Sequence, residues 1–145
     1  MESTSLTILD NDELISIAIW QLDQGHFADA LVSVKHLLIR DDTPVETFSL
    51  AGKIYAQLGL YEKAKEAFES YLDKVPDAIN DIFQYGMVYY DSGDIETAAS
   101  IWQDVLAEEP THPPALFYMA LSLANQEQTT DALKHLDVLL KSAPT

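Results

Sequence analysis

The fold is decided by residues 45–78, VETFSLAGKIYAQLGLYEKAKEAFESYLDKVPDA, laid over the 34 residues that follow, INDIFQYGMVYYDSGDIETAASIWQDVLAEEPTH. Gly52 falls on Gly86, Tyr55 on Tyr89, Gly59 on Gly93, Ala64 on Ala98, Phe68 on Trp102 and Pro76 on Pro110. The same step of 34 continues outward in both directions. Ala30, Ala64, Ala98 and Ala132 form one column, and Val34, Phe68, Trp102 and Leu136 a second. Leu37, Tyr71, Val105 and Leu139 form a third, and the small residues Ala18, Gly52, Gly86 and Ala120 a fourth. Gly25, Gly59 and Gly93 recur with Glu127 in the last place, and Pro76, Pro110 and Pro144 with Asp42 in the first. Columns in one register over four copies mark a repeated supersecondary unit that buries its apolar face only against its neighbours.

Each copy holds two stretches of about fourteen residues with apolar spacing of 3 and 4, the pattern of amphipathic helices. The spacing predicts first helices over 11–24, 45–58, 79–92 and 113–126, and second helices over 27–40, 61–74, 95–108 and 129–142. The small columns allow two helices to approach closely while the large columns fill the space beside them. Gly25, Gly59 and Gly93 suit the turn between paired helices, where positive φ is cheap only for glycine. Asp10 with Glu13, and Thr43 with Glu46, read as capping boxes, with Pro44 at the favoured first helical position. Asp77 and Thr111 are the matching N-cap candidates. Residues 1–10 read as a short tail from which Leu6, Ile8 and Leu9 can pack on the first helix.

These columns resemble the tetratricopeptide repeat family. The resemblance covers residues 11–145 in four copies, 11–44, 45–78, 79–112 and 113–145. The second copy carries the pattern most fully, with Phe48, Ala51-Gly52, Tyr55, Gly59, Tyr61, Ala64, Phe68 and Pro76. The third carries Gly86, Tyr89, Gly93, Ala98, Trp102 and Pro110. The outer copies depart from it, with Gln21 where the family prefers Tyr and Glu127 where it prefers Gly. The resemblance implies an all-α fold: an α-solenoid of four helical hairpins, about eight helices, wound as a right-handed superhelix in a single domain. It also implies a non-catalytic protein–protein interaction module.

Composition narrows the function classes. The 145 residues are 48% apolar and 10% aromatic, enough for a real core despite a formal net charge of −16. There is no cysteine, which removes disulfides, thiolate metal sites and a cysteine nucleophile. A pI near 4.2 speaks against nucleic-acid and anionic-membrane partners, which need clustered Lys and Arg. No stretch approaches the roughly 20 apolar residues of a membrane span, and Met1-Glu2-Ser3-Thr4-Ser5 has no basic, apolar leader pattern. A cytoplasmic protein is the expectation.

No chemistry-bearing constellation emerges. His26, His36, His112 and His135 never fall at i, i+3 or i, i+4, so no helix face offers a histidine pair for zinc, and a structural role is expected for each. Asp91-Ser92-Gly93-Asp94 has the look of part of a calcium loop but lacks the 12-residue spacing and terminal Glu. It reads as the turn of the third copy. Phosphate-cradling and nucleophile-elbow motifs are absent. Glu62, Glu66 and Glu69 with Lys63 and Lys65 form a solvated helix face. The sequence therefore predicts no enzyme, no metal and no cofactor.

The resemblance implies that first helices line a concave, peptide-holding groove. The residues carried onto it are Ile15 and Ile19, then Leu50 and Lys53, then Phe83, Val88 and Tyr90, then Phe117 and Tyr118. Apart from Lys53 this set is apolar and aromatic, and each of its apolar members also fits a packing role between hairpins. The family branch that grips a terminal carboxylate uses Lys, Asn and Arg there. Ile15, Ile19, Leu50, Asn80 and Gln84 stand in those places, so the basic clamp is missing. The third copy has seven carboxylates and no Lys or Arg, net −7. The expected partner is a protein or peptide, hydrophobic or amphipathic, with basic flanks. A narrower reading is a small acidic chaperone that shields hydrophobic segments of a secretion system's exported proteins. The last helix is apolar at Leu133, Leu136, Val138, Leu139 and Leu140, and the first at Ile15, Ile17, Ile19, Trp20 and Leu22. Pro144-Thr145 falls where the N-cap of a further hairpin belongs. These end faces allow three outcomes: the chain is a piece of a longer protein, the N-terminal tail folds over an end, or the chain self-associates. The favoured expectation is self-association as a two-fold homodimer through Leu136 and Leu140, with a self-assembling scaffold as an alternative.

Overall fold

A computed structural model describes residue 6, residues 8–125 and residues 129–142. Glu127 and Pro144, and most of the tail, lie outside the described residues. Eight helices are described: α1 (Asn11–Asp23), α2 (Phe27–Leu38), α3 (Glu46–Gln57), α4 (Tyr61–Lys74), α5 (Ile79–Asp91), α6 (Ile95–Glu108), α7 (Pro113–Asn125) and α8 (Thr129–Ser142). They pair as antiparallel hairpins, α1 with α2, α3 with α4, α5 with α6 and α7 with α8. Every expected helix is present, with ends shifted by no more than two residues. Repeats predict one array over residues 11–145, and the chain divides into two compact units of two hairpins each, Met1–Pro76 and Asp77–Thr145.

The turns explain the glycine column. Gly25, Gly59 and Gly93 take φ of 77°, 74° and 98°. Behind each, the next backbone N–H reaches back to the helix: His26 to the Gln21 carbonyl at 2.8 Å, Leu60 to Tyr55 at 2.9 Å, Asp94 to Tyr89 at 2.8 Å. The glycine N–H donates to Leu22, Ala56 and Tyr90 in turn. This is one Schellman motif made three times, satisfying helix-end carbonyls with a residue that only glycine occupies cheaply.

The small columns set the closest helix contacts. A Cβ on Gly52 would lie 2.8 Å from the Phe68 ring, and one on Gly86 would run into the indole of Trp102. Ala30, Ala64, Ala98 and Ala132 are buried, as are Val34, Phe68 and Trp102. In the unit Asp77–Thr145 these columns merge into one core of Phe83, Ala98, Trp102, Val105, Ala115, Met119, Ala120, Leu123 and Ala132.

Caps follow the sequence only in part. Asp10 accepts from the Glu13 backbone N–H at 2.8 Å, as a capping box requires. That bond holds the Asp10 carboxyl below its ordinary pKa. Thr43 does not cap α3, whose N-cap is Val45. Its hydroxyl donates instead to the Leu37 and Arg40 carbonyls at 2.8 and 2.7 Å, closing the end of α2. Orphan carbonyls there lie within its reach and compete for the same hydroxyl. Asp77 likewise leaves the N-cap to Ala78. Thr111 yields to His112, whose Nδ1 accepts from the Ala115 N–H at 3.2 Å. Asp94 opens α6 by accepting from the Thr97 N–H at 3.1 Å and the Thr97 hydroxyl at 2.7 Å.

Gln21, the departure from the tyrosine column, accepts a 2.7 Å hydrogen bond from the fully buried Ser33. A polar pair thus replaces the ring that Tyr55 and Tyr89 supply in the next two copies. Arg40, the chain's single arginine, holds the start of α1. Its Nη1 donates to Asn11 Oδ1 at 2.9 Å and its Nη2 to the Leu6 carbonyl at 3.2 Å.

Candidate functional site

The groove residues divide by burial, and the division has a helical cause. Val88 is 1% exposed. It stands in the column of Ile54 and Ser122, both buried, one residue beyond Met87, which continues the line of Ile19 and Lys53. One residue is a rotation of about 100° on a helix, enough to carry a side chain from the groove to the core. Leu50 is also buried, because α3 packs on α1, α2 and α4 and is covered around most of its circumference. These two are corrections to the expected groove, and Phe83 is a third.

Phe83 is 7% exposed and central to an aromatic cluster. Its ring stacks on Trp102 with centroids 5.9 Å apart, and meets His112 at 5.4 Å and Tyr118 at 5.9 Å. The Trp102 indole N–H donates to the Phe83 carbonyl at 3.2 Å. Tyr90 joins from the same helix, 5.7 Å from Trp102 and 5.7 Å from Tyr118. Such rings add to their area burial through edge-to-face and offset contacts.

At the outer rim stands Phe117. It meets Tyr118 edge-on, centroids 5.2 Å apart, and is 44% exposed. Leu121, one helical turn on, is exposed beside it, and Tyr118 and Tyr90 are half-buried. The helix that carries Phe117 and Leu121 has no charged residue. On α5, Gln84 and Asp91 are exposed. Partial burial raises the Asp91 carboxyl above its ordinary pKa. No salt bridge to it occurs among the described residues. An apolar, aromatic strip next to a cation-free acidic repeat is what this unit presents.

In the unit Met1–Pro76, Ile19 is exposed on α1 while Ile15 and Lys53 are half-buried. Clefts formed by the described residues here include the following two. One of about 200 Å³ is lined by Leu38, Phe48, Ala51, Tyr55 and Lys63, and one of about 290 Å³ by Leu6, Gln21, Asp29, Val32 and Ser33. Both fall below the roughly 300–1,000 Å³ of ordinary small-molecule sites. Among the described residues no group of three His, Asp or Glu gathers to hold a metal ion. No described helix is long and apolar enough to cross a membrane. Sequence reading missed His112, whose ring both caps α7 and packs on Phe83. Its place directly before Pro113, a favoured first helical residue, is the signal that was present.

The family model described as anaphase-promoting complex, cyclosome, subunit 3 matches residues 57–139, more than half of the chain. The chain belongs to that family, and its repeats are tetratricopeptide repeats. The fold is similar to a crystal structure of MamA, with TM-score 0.84 at 18% identity, covering 91% of this chain and 77% of that one. A second MamA crystal structure gives 0.81 at 18%, covering 91% and 72%. TTC0263, described as a thermophilic TPR protein in Thermus thermophilus, gives 0.77 at 22%, covering 94% and 75%. At these identities the likeness shows the fold: an all-α array of tetratricopeptide hairpins. No curated protein matches the sequence. The fold suggests a protein–protein interaction module.

Proposed function

We propose that the chain is a non-catalytic interaction module that takes a hydrophobic or amphipathic peptide segment with basic flanks. The observation that carries this is Phe117, a large aromatic held half out of the core by Tyr118 on an uncharged helix. Exposed aromatics fixed by packing are typical anchors of binding energy. The third copy, net −7, favours a cationic partner by steering and by register. The anchors are Phe117 and Tyr118 with Tyr90 on the unit Asp77–Thr145, and Ile15, Ile19 and Lys53 are a separate proposed surface on the unit Met1–Pro76. A chaperone that shields hydrophobic segments is a narrower form of this reading.

The test uses a synthetic peptide with one leucine-rich helical face and lysine flanks, titrated into the protein while backbone amide shifts are followed. Shifts should centre on α7, and Phe117→Ala should weaken binding by about tenfold or more, the loss of a roughly 1.4 kcal/mol anchor. A glutamine-flanked version should bind more weakly. An unchanged dissociation constant for Phe117→Ala, or shifts confined to other helices, contradicts the proposal.

Self-association is a second reading, favoured by Leu133 and Leu140 standing exposed on α8.

A further inference from the structure

Two faces break the burial rule of their own columns. Trp20 is the tenth residue of the first copy, and Ile54, Val88 and Ser122 hold that place in the others. Those three are buried, whereas Trp20 is 57% exposed, with Ile19 exposed next to it. Its ring meets only the edge of His26 among the described aromatic contacts, at 5.8 Å. On α8, Leu133 and Leu140 stand where Ala99 and Leu106 stand on α6. Ala99 and Leu106 pack against the core that joins α6 to α7. Leu140 is 74% exposed, and Leu133 and Val138 are exposed with it. Leu136, expected on the same surface, packs instead against that core. Leu133 and Leu140 are seven residues apart and share one helix face. Both faces are therefore of the kind that hairpins use to bury one another.

Charge pairs these two faces with each other. The chain is at −16, so two copies repel over most of their surface. Helix α1 carries Asp12, Glu13 and Asp23 and no cation. Lys134 and Lys141 are the only Lys or Arg after residue 77, and both lie exposed on α8. Their present partners, Asp131 at 3.7 Å and Asp137 at 2.9 Å, are solvent-exposed carboxylates on the same helix. Such pairs contribute little and exchange readily. Of the two, α8 is the face on which an acidic copy can land without meeting net repulsion, and α1 is an acidic face with an apolar centre.

We propose that a second copy of this chain occupies both faces: α8 of one copy docks on α1 of the next, head to tail, repeating between copies the kind of packing that joins α6 to α7 within one. Leu133 and Leu140 cover Trp20 and Ile19, and Lys134 and Lys141 meet the α1 carboxylates. The contact is heterologous, so it propagates and does not close on itself as a pair. It rests on the self-association reading and is independent of the α7 peptide surface.

The deciding experiment is complementation, read by sedimentation velocity from micromolar to millimolar chain. Trp20→Glu blocks the α1 face and Leu140→Glu blocks the α8 face, with helicity checked by circular dichroism. Wild type should grow past dimer with concentration, and each variant alone should be monomeric. Their equimolar mixture should form dimers and stop there, because one good face of each kind remains. Added salt should weaken the association. Lys134→Glu with Lys141→Glu repeats the α8 block if Leu140→Glu fails to fold. A Trp20→Glu variant that still dimerises, with no gain on mixing, overturns the head-to-tail contact in favour of a two-fold α8 pair. A wild type that stays monomeric throughout overturns self-association itself and leaves the peptide reading untouched.

Discussion

In hairpin α3–α4 the backbone of Gly52 lies against the Phe68 ring, and in hairpin α5–α6 that of Gly86 lies against the indole of Trp102. The two contacts are built alike: glycine on the first helix, aromatic on the second, alanine beside it at Ala64 and Ala98. The surroundings differ. Lys63, Lys65 and Lys74 sit among the acids of α4, whereas α5 and α6 have no Lys or Arg. Around Trp102 the rings of Phe83, Tyr90 and Tyr118 extend the contact into an aromatic cluster. The columns at a step of 34 fix the hairpin, and the residues between them decide what its surface offers.

The largest effect expected is Trp102→Ala, with a loss of about 3–5 kcal/mol from the cavity and the vanished indole bond to Phe83. Phe68→Ala belongs to the same range but should fall below it in denaturant unfolding, since a phenyl ring is smaller than an indole and has no N–H bond to lose. Equal losses would mean the indole's extra size and its bond to Phe83 add nothing. Gly86→Ala and Gly52→Ala come next, each destabilising by about 1–3 kcal/mol through over-packing. Alanine's better helix propensity, worth roughly 1 kcal/mol, works against this cost. Gly86→Ala should be the worse of the two, because its Cβ meets the indole most closely. Ala64→Leu and Ala98→Leu probe the same contacts from the second helix. An unchanged melting temperature for either would break the shared register.

How far the sequence reached depends on which feature repeats. Helix bounds, the three glycine turns and the close contacts were legible because each recurs every 34 residues with one physical cause. The caps were legible only at Asp10. Thr43 has the right spacing to Glu46, but three-dimensional proximity to the end of α2 takes its hydroxyl. Which members of the expected groove set are buried was not legible. Val88 and Met87 are adjacent and both apolar, so composition does not separate core from rim, and Phe83 satisfies either role until Trp102, His112 and Tyr118 close around it. Phe117 and Tyr118 emerged on one rim because α7 turns its other sides, at Leu116, Met119 and Ala120, into the core.

Two smaller effects sharpen the picture. His112→Ala removes the ring that caps α7 and should cost about 1 kcal/mol, the usual worth of an N-cap. His112→Asn keeps a side-chain acceptor at the cap and should recover part of that loss in thermal unfolding. Failure of Asn to recover any of it would assign the residue's whole contribution to its contact with Phe83. Thr47→Val works in the opposite direction. The Thr47 hydroxyl is buried with no hydrogen-bond partner among the described residues. Replacing it by a methyl should leave stability unchanged or raise it by up to about 1 kcal/mol. A clear loss would mean the hydroxyl has a partner in solution.

The most direct measurement compares the unfolding free energies of Phe83→Ala and Phe117→Ala. With Phe83 in the core and Phe117 held out as an anchor, Phe83→Ala should lose about 3–5 kcal/mol. Phe117→Ala should lose less than about 1 kcal/mol. Equal, large losses would put Phe117 in the core as well and leave α7 without the exposed anchor on which the proposed binding surface depends.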